Sequence, residues 1–258
     1  MSRKEGQRKG IKTLNKPKVS LVDLETTANQ GFYWGQNYET GIIETTDYWK
    51  ILSYAVKWLD SKKTIVRGWI DTKDEFGLVK ELWKLLDEAD CVVAHNGKKF
   101  DIKKCNAKFA FYHLGPPSPY KVIDTLTEAR KYLSLPSYRL NDIADYFGLG
   151  HKIEHEGWPL WKRCIAGEPK AWAKMKRYNK HDVILLEKLY LELRPFMATH
   201  PQLGHFFGTA CPKCGGDLQS RGFEYTKVGK YRKFSCKSCG GWGRAKQNLN
   251  EVNLITNI

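Results

Sequence analysis

No run in the 258-residue sequence approaches the ~20 consecutive apolar residues that a membrane-spanning helix requires. A helical membrane protein is thereby excluded, and no membrane partner is expected. The basic stretch Met1–Lys18 is followed by no apolar core, which excludes a secretory signal. Residues 1–17 read as a disordered basic arm, and the expected compartment is intracellular, cytoplasmic and reducing. No internal repeat is visible, so a repeat architecture is excluded. Acidic residues are scarce: 28 Asp and Glu face 43 Lys and Arg, a formal net charge of +15. An excess of that size, clustered toward the two ends, points to a polyanionic partner, with nucleic acid the default and solubility charge the plainer alternative. Cysteines number only seven, and Cys91, Cys105 and Cys164 sit singly among apolar or aromatic neighbours, as reduced, buried cysteines do.

What is present can build a core, since 41% of residues are hydrophobic and 13% aromatic. Val19–Asp23 reads as a buried strand ending in a carboxylate. Gly31–Gly35, Ile51–Leu59 and Thr64–Ile70 read as further strands, forming an antiparallel meander after the first. Apolar residues at helical spacing predict a helix over Asp74–Ala89 with Asp74 as its N-cap. Cys91–Ala94 is an apolar strand turned by Asn96-Gly97. Helices follow over about Phe100–His113, Leu126–Leu133 (capped by Asp124 or Thr125), a short segment opening at Ser137, and a long one from near Pro169 to Leu193, stopped before Pro195. Strands first, then alternating elements, then helices suit an α/β mixed sheet covered by helices. After Thr209 the composition changes to Cys, Gly, Lys and aromatics, which sets a domain boundary near 200–210.

Three segments carry acids at telling places. Asp23 and Glu25 close the first strand, and residues i and i+2 of a strand share a face. Asp101 opens the helix after Asn96-Gly97. Asp182 lies within the long helix, one turn beyond Tyr178 on the same side. Phosphodiester hydrolysis needs a nucleophilic hydroxide and a stabilised leaving oxygen, and two divalent ions about 3.5–4 Å apart supply both. Hard ions such as Mg²⁺ take carboxylate oxygens, so a gathering of acids is what that chemistry requires.

Val22-Asp23-Leu24-Glu25-Thr26-Thr27 resembles the first motif of the DEDD exonuclease superfamily, which has the RNase H-like (DnaQ-like) fold. His95-Asn96-Gly97-Lys98-Lys99-Phe100-Asp101 resembles its second motif. Tyr178-Asn179-Lys180-His181-Asp182 resembles the third motif of the tyrosine (DEDDy) branch, which includes RNase D and the proofreading domains of family B DNA polymerases. Tyr138-Arg139-Leu140 resembles the Tyr-x-Leu helix found between the last two motifs. The histidine branch would need His at position 177 or 178, where Arg177 and Tyr178 stand.

The resemblance spans about residues 18 to 195 and implies an RNase H-like domain over 18–200. It implies that Asp23, Glu25, Asp101 and Asp182 hold two Mg²⁺ or Mn²⁺ ions, and that Tyr178 orients the attacking water. Asn96 and Thr26 either contact the terminal nucleotide or serve as a turn residue and a strand-end hydroxyl. Leu24 and Phe100 either wedge against the last base or pack in the core, the latter being expected. His181 should face another side of the helix, and His95 borders the second motif. Trp158, Trp161 and Trp172, set among basic residues, either clamp a single strand or pack internally.

Cys211-Pro-Lys-Cys214 and Cys236-Lys-Ser-Cys239 have the spacing of two zinc knuckles. Two such turns close a tetrahedral site with no open position, so one structural Zn²⁺ is expected; a redox dithiol or disulfide pair is the alternative. The pattern is similar to a zinc ribbon over 206–246, with a hairpin joined around Gly229-Lys230 and a tail over 247–258. Lys230 and Arg232, interleaved with Tyr225, Tyr231 and Phe234, mark either a nucleic-acid surface or a protein-docking surface.

The expected function is a two-metal 3′→5′ exonuclease on single-stranded nucleic acid, DNA favoured over RNA, releasing nucleoside 5′-monophosphates. An exoribonuclease or a structure-specific endonuclease on the same fold, and a nucleic-acid-binding adaptor, are its rivals. The partners expected are 3′ ends of DNA or RNA and a polymerase or other replication or repair protein, with the chain itself a monomer.

Overall fold

The structure, a computed structural model, describes residues 16–34, 41–72, 74–204 and 210–249. The basic arm up to residue 15 and the tail from residue 250 lie outside the described residues. The chain divides into two compact units, one of residues Lys18–Pro201 and the other containing the segment from Gln202 onward.

The first unit opens with β1 (Val19–Thr26), followed by β2 (Gln30–Phe32), β3 (Glu44–Asp47), β4 (Ile51–Trp58) and β5 (Thr64–Gly68). Next come α1 (Trp69–Thr72), α2 (Glu75–Asp87), β6 (Cys91–Ala94), α3 (Asp101–Phe111), β7 (Lys121–Asp124) and α4 (Thr125–Tyr132). It closes with α5 (Leu140–Tyr146), α6 (Trp158–Ile165) and α7 (Pro169–Leu193). Five strands form one mixed sheet in the order β5-β4-β1-β6-β7. β1, β4 and β5 pair antiparallel, while β1, β6 and β7 run parallel. This is the helix-covered α/β sheet of an RNase H-like fold.

Local chemistry explains the frame. The carboxylate of Asp74 accepts from the Gly77 N–H at 2.8 Å and starts α2. Leu78, Val79, Leu82 and Leu86 then bury one stripe of α2 against Val22, Leu24, Tyr54 and Val56 of the sheet and Cys105 and Phe109 of α3. Pro169, free of any need for an amide partner, begins the 25-residue α7. Its residues Ala171, Trp172, Met175 and Tyr178 pack with Leu52 of β4 and with Leu160 and Cys164 of α6.

Three expectations for this unit need correction. β2 pairs only with β3, in a two-stranded sheet of its own, so the meander is β1-β4-β5; Gly35 lies outside the described residues. β5 stops at Gly68 rather than Ile70. There the Gly68 N–H donates to Asp71 Oδ2 of α1 at 2.9 Å, and the Trp172 ring lies where a Cβ would stand 2.2 Å from it. The short helix begins at Leu140, with Arg139 as its N-cap, and Ser137 stands before it, its Oγ accepting the Arg139 N–H at 3.4 Å. The elements β3, β7, α1 and α6 had no counterpart in the sequence reading.

In the second unit β8 (Leu218–Thr226), β9 (Gly229–Cys236) and β10 (Trp242–Arg244) form an antiparallel sheet in the order β10-β9-β8. Thr226 pairs with Gly229, so the hairpin turns at Lys227-Val228 rather than Gly229-Lys230. Among the described residues, no helix is long and apolar enough to cross a membrane.

Candidate active site and metal centre

Alternation along β1 sorts its side chains. Val22 and Leu24 enter the core beneath α2 and α3, which sends Asp23 and Glu25 to the opposite face, where α7 lies. Tyr178, Asn179 and Asp182 come from the buried side of α7. One oxygen from each of Asp23, Glu25 and Asp182 lies within 4.8 Å of the others. Asn179, fully buried, ties the two elements together: its Nδ2 donates to Asp23 Oδ2 at 2.6 Å, and its Oδ1 accepts from Ser53 Oγ of β4 at 3.2 Å.

Asp101 arrives from the other side of the sheet. Leu21 is the last residue of β1 paired with β6. Just beyond it, the Leu24 N–H donates to Asp101 Oδ1 at 3.1 Å. Asp101 stands outside the close trio, yet its charge acts on both Asp23 and Glu25.

The electrostatics follow from burial of like charges. Burial, then the charges of Glu25, Asp182 and Asp101, push Asp23 well above the usual carboxylate range. Burial, then Asp182, raises Glu25 to about 8. Burial raises Asp101 to about 7 against the opposing pull of the Asp101 and Leu24 N–H groups. Burial, then Glu25, Asp182 and Asp23, hold the Tyr178 phenol far above its ordinary value.

Among the described residues, Lys152 answers these charges. Lys152 Nζ lies 2.6 Å from Asp182 Oδ2. Burial would lower this ammonium, but Asp182, Asp23 and Glu25 outweigh it and hold its pKa above normal. The same loop carries His155, whose ring meets Tyr178 edge-on at 4.6 Å and Trp161 at 5.0 Å. Burial keeps His155 below the usual imidazole value. A cleft of about 560 Å³ opens here, lined by Asn141, Lys152, His155 and Tyr178.

The donor set fits divalent metal. Three carboxylates converge, all hard oxygen ligands. Asp182 Oδ1 is buried and has no hydrogen-bond partner among the described residues. A buried orphan oxygen costs about 1–3 kcal/mol, a cost that an ion coordinated there would remove.

The remaining expected residues separate by place. Leu24 is buried in the core, whereas Phe100, expected in the core, is 37% exposed beside Lys104. Asn96 holds the left-handed conformation at φ 64°, and its N–H donates to Asp124 Oδ1 at 3.0 Å. Thr26 sits at a register shift at the end of β1. Asp124 is the N-cap of α4, accepting from Leu126 and Thr127. His95 bridges Thr125 and the Tyr138 carbonyl, and His181 contacts the His151 carbonyl. Trp172 is buried and Trp161 half-buried, which removes the three-tryptophan clamp and leaves Trp158 at the surface. Lys152, His155 and Asn179 escaped the sequence reading; only Asn179 had a signal, lying inside the Tyr178–Asp182 motif.

In the second unit the Sγ atoms of Cys211, Cys214, Cys236 and Cys239 lie within 4.8 Å of one another, and none of the four is in a disulfide. Cys211 and Cys239 are 3.8 Å apart, Cys214 and Cys236 3.5 Å. A tetrahedral Zn–S₄ centre with bonds of about 2.3 Å has an S···S edge of about 3.8 Å. Gly215 and Gly240, each following the second cysteine of a pair, take φ 77° and 72° and so permit the knuckle turns. The Cys236 sulfur faces the Ser238 and Cys239 N–H groups at 3.4 and 3.5 Å. Burial works against its thiolate, but these donors prevail and bring its pKa to about 7.

The RNase_H superfamily profile matches residues 38–194, more than half of the chain. The chain belongs to the RNase_H superfamily. The matched span takes in Asp101, Tyr178 and Asp182 and begins after Asp23 and Glu25. This RNase_H superfamily chain is similar in fold to the family B DNA polymerase of the hyperthermophilic archaeon Pyrobaculum calidifontis, with a TM-score of 0.52 and 15% identity. The similarity covers 70% of this chain and 25% of the polymerase chain, so the chain spans about a quarter of the polymerase's length. No curated protein matches it by sequence.

Proposed function

We propose that the chain is a metal-dependent nuclease of the DEDDy type, removing nucleotides from the 3′ end of single-stranded nucleic acid, with DNA preferred over RNA, and releasing nucleoside 5′-monophosphates. The observation that carries this reading is the convergence of Asp23, Glu25 and Asp182, the last of which has one buried oxygen without a hydrogen-bond partner among the described residues. Membership of a superfamily whose members are typically nucleases supports it.

Two divalent ions bound by Asp23, Glu25, Asp101 and Asp182 would supply an activated water and stabilise the leaving oxygen. The chain's own residues do the rest. Asn179 fixes the Asp23 carboxylate on one oxygen. Tyr178, kept protonated by its surroundings, presents a phenolic O–H to the cleft and orients the attacking water as a donor. Lys152 holds a positive charge beside the acids, where the charge of a scissile phosphate is met. In the second unit, the four cysteines hold one structural Zn²⁺.

The test uses 3′- and 5′-labelled single strands of DNA and RNA with Mg²⁺ or Mn²⁺, on the wild type and Asp23→Asn. A metal-dependent ladder shortening from the 3′ end of DNA, absent in the variant, is the expected result. Internal cuts would replace this reading with the endonuclease, shortening of RNA alone with the exoribonuclease, and binding without any cleavage with the adaptor.

A further inference from the structure

Strand register sorts the side chains of the ribbon sheet into two faces. Phe223 opposes Arg232 and Tyr225 opposes Lys230, so these four share one face. On the other face Glu224 opposes Tyr231, and Arg244 opposes Lys233. That second face is closed on itself: Arg244 bonds Glu224 at 3.0 Å and lies over the Tyr231 ring at 4.2 Å. Among the described residues, the first face carries no carboxylate. Lys230 Nζ stands 4.2 Å from the Phe223 ring and 5.6 Å from Tyr225, one ammonium between two rings. Both rings are open to solvent, Phe223 at 41% and Tyr225 at 71%. Among the described residues, neither Lys230 nor Arg232 forms an ion pair.

A bulge creates this arrangement. Ser220 pairs with Phe234 and Phe223 with Arg232, so three steps on β8 match two on β9. Gly222 takes up the extra residue at φ 80°. With no extra residue, Gly222 would oppose Arg232, and Phe223 and Tyr225 would move to the face of Glu224's partners. The bulge thus gathers two aromatic rings on the carboxylate-free face and sends the strand's only acid to the other.

Flat π surfaces around an ammonium, with a guanidinium alongside and no negative charge, match a chain whose bases stack and whose phosphates seek cations. The β2–β3 hairpin offers a contrast. It also exposes Phe32, Tyr33 and Ile42, but its strand carries Glu44 and Asp47.

We propose that Phe223, Tyr225, Lys230 and Arg232 form a binding site for single-stranded nucleic acid, in the unit that contributes none of the clustered carboxylates. The site goes beyond the nuclease reading and requires no hydrolysis. The experiment uses the full chain carrying Asp23→Asn, fluorescence anisotropy with labelled oligo-dT and oligo-rU, and no added Mg²⁺ or Mn²⁺. Tyr225→Ala is expected to weaken binding by roughly 5- to 150-fold. Lys230→Gln should flatten the logarithmic salt dependence by about 0.7 of a slope unit. Glu224→Gln, on the other face, should not weaken binding, and zinc content should stay the same in all three. Unchanged affinity and salt slope in zinc-retaining Tyr225→Ala and Lys230→Gln would overturn the proposal and give the face to a protein partner. If the wild type hydrolyses nothing while these losses appear, the nuclease reading falls and this site stands.

Discussion

Lys152 Nζ lies 2.6 Å from one oxygen of Asp182, while the other oxygen of the same carboxylate is buried without a hydrogen-bond partner among the described residues. Asp182 therefore has a resident counter-charge on one side and a place for a cation on the other. Lys152→Met removes the counter-charge at nearly constant length. Stranding a buried partner charge costs about 3–5 kcal/mol, and the 31% exposure of the lysine side chain places this case toward the lower end. Urea denaturation without added divalent metal should show that loss, and Mn²⁺ should restore most of it. A loss indifferent to Mn²⁺ would mean that Asp182 binds no metal.

Tyr178 gives a sharper prediction, because its phenol cannot serve as a base while burial and three carboxylates hold its pKa so high. Tyr178→Phe keeps the ring contact with His155 and deletes only the O–H. Loss of an oriented donor lowers kcat by about 10²–10³, with KM little changed. Stability should stay within about 1 kcal/mol. The pH profile of the residual activity should keep its shape; a vanished limb would show that Tyr178 titrates in the reaction after all.

Asn179 is predicted to act through Asp23. Asn179→Ala leaves Asp23 Oδ2 and the Ser53 hydroxyl without their partner in a buried site. The expected cost is about 1–3 kcal/mol of stability. Mn²⁺ affinity should fall by about 10- to 100-fold, the usual consequence of losing a group that orients a metal ligand. Titration calorimetry with Mn²⁺ checks this, and unchanged affinity would reduce Asn179 to a packing residue.

The residues that were legible in the sequence are those whose signals are local. α7 could be read from 169 to 193 because a proline opens it and another follows its end. Asp23 and Glu25 follow from strand alternation, and the four cysteines from their spacing. Lys152 and His155 carry no such signature. Their loop reaches the acids only through tertiary contacts, among them the Lys152 N–H donating to Asn141 Oδ1 at 2.8 Å. α6 has no comparable signature: a proline such as Pro159 ordinarily argues against a helix, whereas in a first turn it costs nothing. β3 and β7 are four residues each, too short for a period to emerge.

The raised carboxylates couple metal binding to pH. Glu25 has an ordinary pKa of 4.5 and stands at about 8 in the fold. Between those values the metal-free fold keeps a proton that the unfolded chain has lost, so stability contributed by this group declines as pH rises toward about 8. Divalent metal competes with that proton and replaces it as the compensating charge. Mn²⁺ should therefore raise Tm little at the acid end of the window and progressively more toward about 8, while Asp23→Asn flattens the trend. Thermal scans across that range with and without Mn²⁺ check it, and a Tm gain independent of pH would detach the metal from these acids.

The cysteine centre should unfold separately from the sheet that carries the acids. Among its described residues the second unit offers few buried apolar side chains, with Cys211 and Cys236 among them. Below about 40–60 residues a core of that kind rarely suffices, and a structural metal takes its place. Cys236→Ser removes one of four thiolates, along with the sulfur that the Ser238 and Cys239 N–H groups approach. The variant should lose about one zinc per chain. Amide hydrogen exchange should then rise across β8, β9 and β10 while β1, β6 and α7 keep their protection. Retained protection in the ribbon strands after complete loss of metal would show that the sheet stands without zinc, and the centre would then have to be sought in redox chemistry instead.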